Sequence, residues 1–139
     1  MQRVTEELLK ELKNAKDIEG FFKAHQDKFI NKNTSEYLNE LLDIKGLSVA
    51  TVAKNSGAGE YVYKIFKGER KPSRDIAIAI SFGMELSLEE TQLLLRISKF
   101  AILDSRDKRD SIVIYALTHG LTIFQTDDML DNKDLTTLN

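Results

Sequence analysis

Helix-capping residues punctuate this chain at short intervals, and almost no run in it alternates as a strand does, which confines it to an all-α fold. One Pro and seven Gly leave little loop-forming composition. Thr5, followed by Glu6 and Glu7, opens a first helix whose apolar face is Leu8, Leu9 and Leu12 and which runs to about Asn14. Asp17 opens a second, with Ile18, Phe21, Phe22 and Phe29 as core candidates, before the polar break NKNTS. Thr34 or Ser35 caps a third, Tyr37 to Lys45, which points Leu38, Leu41 and Leu42 inward. Ile76 to Ile80 alternates large and small residues as a strand could, but Pro72-Ser73-Arg74-Asp75 is a helix start and Phe82-Gly83 an end, so a helix is expected. Ser87 and Glu90 form a capping box for a helix to about Phe100. Another runs from near Arg106 to Gly120, its SIVIYAL centre read as buried on most sides. Thr122 and Gln125 cap a last helix to about Leu130, and DNKDLTTLN reads as a loose tail.

Within this series, LSVATVAKNSGAGEYVYKIFKGERKP (47–72) has a distinct layout: two short amphipathic helices, a glycine turn between them and a basic loop after them. Ser48 is placed to N-cap the first helix, Val52 and Ala53 give it an apolar face, and Gly57 ends it. Val62 and Ile65, three apart, point the second helix inward and leave Glu60, Tyr61, Lys64 and Lys67 facing outward. This is the layout of a helix-turn-helix, whose second helix can enter a DNA major groove.

Leu47, Ser48, Ala53 and Gly57, with Ile65, Gly68, Pro72 and Leu86-Ser87-Leu88-Glu89-Glu90, give a spacing that resembles the phage-repressor-like, or Xre-type, helix-turn-helix family over residues 37–95. The flanking ETQLLL and KRDSIVIYALTHGLT resemble a bacterial subset with extra helices on both sides of that unit. The resemblance implies a lambda-repressor-like helix-turn-helix bundle with additional N- and C-terminal helices: an extension over 1–33, a DNA-binding domain over 34–100 and a second extension, read as dimerising, over 101–139. Val49 stands where the family often has a phosphate-contacting Gln, the 57–68 segment is one residue shorter than usual, and Gly59 and Glu60 fall where bases are commonly read. A carboxylate there can only accept, as from cytosine N4, and is repelled by phosphate.

Charge placement agrees with that layout. The formal net charge is −2, yet residues 60–75 and 96–110 each carry +2, while 76–95 and 111–139 each carry −3. The expected DNA contacts are therefore Ser48, Glu60, Tyr61, Tyr63, Lys64, Lys67, Arg70, Lys71 and Arg74, with the cations on phosphates and Lys64 a candidate for a guanine edge.

Other chemistries find little support. Without Cys there is no thiol catalysis, disulfide framework or cysteine-held zinc. His25 and His119 lie far apart with no second ligand at metal spacing, and Gly57-Ala58-Gly59 lacks the strand and the Gly-Lys-Ser/Thr ending of a phosphate loop. Ser105-Arg106-Asp107-Lys108 matches Ser-x-x-Lys by spacing alone, without companion motifs. The pairs Glu6-Glu7, Glu89-Glu90 and Asp127-Asp128 sit in opening turns, where the helix dipole accounts for them. Gly120-Leu121-Thr122 repeats Gly46-Leu47-Ser48, as any tight helix–helix corner can.

The expectation is thus a cytoplasmic, non-enzymatic regulator that binds double-stranded DNA as a homodimer, with no cofactor, no metal and no membrane contact. The mildly acidic composition, Val49 and the Gly59-Glu60 pair leave open a protein-interaction module, an adaptor or antitoxin-like partner, on the same fold.

Overall fold

The computed structural model describes residues 2–25 and 32–139, whose regular elements are all helices with no strand among them. They form two compact units, Met1–Asn31 and Lys32–Asn139. In the first, α1 (Gln2–Asn14) begins before Thr5, which lies inside the helix and does not cap it. Asp17 caps α2 (Ile18–Ala24) by accepting from the Gly20 N–H, as its position suggests. Only Phe21 of the proposed core is buried; Ile18 and Phe22 are exposed, and Phe29 falls outside the described residues. The Phe21 ring packs on His25, whose Nε2 meets the Glu11 carboxylate.

The second unit holds α3 (Thr34–Lys45), α4 (Val49–Ser56), α5 (Tyr61–Phe66), α6 (Arg74–Gly83), α7 (Leu88–Ile97), α8 (Lys108–Thr118) and α9 (Ile123–Asn132). α8 and α9 share its hydrophobic core through Val113, Ala116, Ile123 and Leu130, so residues 101–139 belong to the same unit as α3–α7. Local capping chemistry sets most boundaries. Ser48, Ser73, Asp107 and Thr122 each accept from a backbone N–H of the first turn of their helix, and Ser87–Glu90 and Thr122–Gln125 close as full capping boxes. At α3 the cap is Asn33, not Thr34 or Ser35: its side chain accepts from the Glu36 N–H, and both hydroxyl residues are taken into the helix. α7 stops at Ile97 because Lys99 turns left-handed (φ 67°), letting the Phe100 N–H reach back to Leu95 O.

α6 is the spine. Seven successive residues, Ala77 to Gly83, are buried on all its sides, and it packs against α4, α7 and α9. Gly83 does more than end this helix. A Cβ there would lie 2.7 Å from Val52 O and 3.0 Å from Ser56 Cβ, so the absent side chain is what lets α4 cross so closely.

Buried hydroxyls turn back onto their own helices, Ser81 to Ala77 O and Thr91 to Ser87 O, and no buried polar side-chain atom among the described residues lacks a partner. Tyr37 donates to Glu90 O, and burial, reinforced by the charges of Glu90 and Glu40, pushes its phenol up to about 12. Burial works to raise the Glu90 carboxyl, but the Ser87 N–H and Lys45 outweigh it and hold the group below its ordinary range.

Two expectations about the last forty residues change. Within the SIVIYAL centre of α8, Val113 and Ala116 are buried and Ile112, Ile114 and Leu117 are half-buried against the core, but Tyr115 is half exposed, so the centre keeps an open side. The segment after α9 is packed, not loose: Leu138 is buried, its N–H donates to Asp127 Oδ1 (2.7 Å), and Arg109 binds the carbonyls of Thr136 and Thr137.

Because the obstacle at Gly83 is backbone, Gly83→Ala should destabilise the protein by about 1–3 kcal/mol through overpacking, read as a lower urea midpoint. A midpoint within experimental error of wild type would show that α4 and α6 can separate without cost.

Candidate nucleic-acid interface

Ser48 starts α4 by accepting from the Thr51 N–H (3.2 Å), with its hydroxyl also 2.9 Å from Thr51 Oγ1. Ser56, fully buried, ends the helix: its Oγ donates to Ala53 O and accepts from the Ala58 N–H. Gly57 and Gly59 both take left-handed φ, 71° and 63°, folding four residues into the turn between α4 and α5.

α5 is only six residues long, too short to hold its shape alone. Val62, Ile65 and Phe66 anchor it to the core. At its far end Asn39 of α3 donates to Phe66 O (2.8 Å) and Ser35 O (2.8 Å), closing a helix terminus with a side chain 27 residues earlier.

With α5 fixed on its inner side, its outer side is cationic. Lys64, Lys67, Arg70 and Lys71 are all exposed, and none forms an ion pair among the described residues. Tyr63 is exposed beside them. Tyr61 is half-buried and not free: the Arg70 guanidinium lies 4.7 Å from its ring centroid, a cation–π contact that ties the basic loop to α5. Glu60 precedes α5 with its side chain exposed and making no cap hydrogen bond. Sequence reasoning passed over Thr51 and Lys54, which lie exposed on α4; their signal was the helical spacing of α4's polar residues.

Arg74 is not brought to this surface. Its guanidinium forms a bidentate pair with the buried Asp110 (2.9 and 3.2 Å) and donates to Ala101 O and Ile102 O. The neighbouring Asp75 is gripped by Arg109 at 2.9 and 3.0 Å. Two successive residues of α6 thus cross-pair with two of α8, and the demand of buried Asp110 for a cation holds Arg74 inside the fold.

Among the described residues no group of three His, Cys, Asp or Glu could hold a metal ion. No helix of those residues is long and apolar enough to cross a membrane. Comparison with family models, with curated proteins and with solved structures gives no match.

Arg74→Ala should cost about 1–3 kcal/mol of stability, less than the roughly 3–5 kcal/mol of a fully buried pair because Arg74 keeps some solvent. Lys64→Ala and Lys67→Ala should each stay within about 0.5 kcal/mol. Equal losses at all three positions in urea denaturation would contradict this division between structural and presented cations.

Proposed function

We propose that this chain is a sequence-specific DNA-binding transcriptional regulator without enzymatic activity, and that α4 and α5 act as a helix-turn-helix in a lambda-repressor-like arrangement. The observation that carries the reading is the set of four exposed cations with no ion-pair partner among the described residues, Lys64, Lys67, Arg70 and Lys71, along α5 and the loop after it. Arg70 and Lys71 meet phosphates; Lys64, on α5 itself, reaches into the major groove. Ser48 at the start of α4 sits where a helix N-terminus favours a phosphate, and Tyr61 and Tyr63 contact the backbone or a thymine methyl. Arg74 has no part in this interface, since its donors are committed to Asp110 and two carbonyls.

One such unit covers one half-site, so specific binding calls for two copies on a near-palindrome with centres about 34–36 Å apart. Arg70→Ala with Lys71→Ala should weaken binding to specific and random DNA alike and flatten the salt dependence by about one unit of slope per lost phosphate contact. Lys64→Ala should cost about 1–3 kcal/mol on the preferred site and relax discrimination at one base pair. Fluorescence anisotropy across a salt series checks both. Full affinity with an unchanged salt slope removes the loop from the interface, and wild-type binding to a protein in place of DNA favours the interaction-module reading.

A further inference from the structure

The turn between α4 and α5 is held from outside its own sequence. Asn139 Nδ2 donates to Ser56 O at 3.0 Å, occupying one of the carbonyls that the end of α4 leaves unpaired. A Cβ built on Gly57 would lie 2.6 Å from that nitrogen and 3.4 Å from Phe124 Cε1, so the Asn139 amide and the α9 ring both rest directly on the turn. The segment carrying Asn139 is itself fastened at two further points. The Leu138 N–H is taken by Asp127 of α9, and the carbonyls of Thr136 and Thr137 by Arg109 of α8, the same arginine that grips Asp75 at the start of α6.

We propose that residues 135–139 are a positioning strap for the helix-turn-helix, with Asn139 as the positioning residue where the strap meets the turn. α5 needs such a device, because it is six residues long and Glu60 gives its start no side-chain cap. Asn39 fixes its far end through Phe66 O, and the strap fixes the turn that leads into it. The orientation of Lys64 and Lys67 is thereby set by a side chain 83 residues downstream of Ser56. This role rests on the DNA-binding reading; the contact itself does not.

The test is Asn139→Ala in the full chain, followed by amide hydrogen exchange and by anisotropy with duplex DNA at one fixed salt. Loss of one hydrogen bond should speed exchange at Gly57, Ala58 and Val62 by about two- to tenfold, while amides of α7 that exchange by local opening stay unchanged. DNA affinity should fall by a similar factor on specific and random duplexes, with the salt slope preserved, because no phosphate contact is removed. Unchanged exchange at the turn overturns the proposal, and so does an equal rise at the locally opening amides of α7, which the strap does not touch. Faster turn exchange with undiminished DNA affinity overturns the positioning role. If the wild type binds no DNA, the regulator reading fails, and the exchange data still decide whether the strap holds the turn.

Discussion

The crossed pairing of Arg74 with Asp110 and of Asp75 with Arg109 is the interaction on which the rest of the larger unit depends. An isolated surface ion pair is worth roughly 0–1 kcal/mol and fades with salt. Here both pairs are bidentate, Asp110 is buried, and the remaining donors of both arginines are used on backbone carbonyls of the 101–102 loop and of residues 136–137. The Asp104 N–H adds a further bond to Asp110 Oδ2. One cluster therefore joins the start of α6, the start of α8, the loop before α8 and the segment after α9. α8 fully buries only two apolar residues, Val113 and Ala116, beside half-buried Ile112, Ile114 and Leu117, so this polar clamp adds directional contacts to its packing.

From that clamp the geometry runs to the candidate interface along α6. Its buried length carries the core, and Gly83 at its end sets how closely α4 can approach. α4 leads through Gly57 and Gly59 into α5, whose shortness makes its placement depend on Asn39 at one end and the strap at the other. The exposed cations then occupy a surface whose position is fixed by residues from almost the whole unit. A short helix held by many distant contacts can present side chains with more definition than its own length would allow.

Features governed by nearest-neighbour chemistry were readable from the sequence. Ser48, Gly57, Asp17, Ser87 with Glu90 and Thr122 with Gln125 sit where local capping rules put them, because each satisfies backbone groups within a few residues. At NKNTS three adjacent residues are all competent caps, and the rules could not choose Asn33 among them. Arg74 looked like one more cation beside Arg70 and Lys71, since its partner Asp110 lies 36 residues away; the repeated Arg-Asp pairs at 74–75 and 109–110 were the only trace of the clamp. The polar letters of DNKDLTTLN hid that Leu138 is buried and that Asn139 has a partner across the fold. The all-α class was legible, whereas the reading of DNA as the partner rests on resemblance and on where the unpaired cations lie.

The most direct test of that reading is chemical-shift mapping of the intact protein titrated at low salt with a mixed-sequence duplex of about 20 base pairs. The account expects perturbations concentrated at Ser48, at Gly57 to Tyr63, and at Lys64, Lys67, Arg70 and Lys71, fading as salt is raised, with little change at Arg74. No perturbation at low salt, or perturbations centred on another face with residues 57–71 silent, would contradict it.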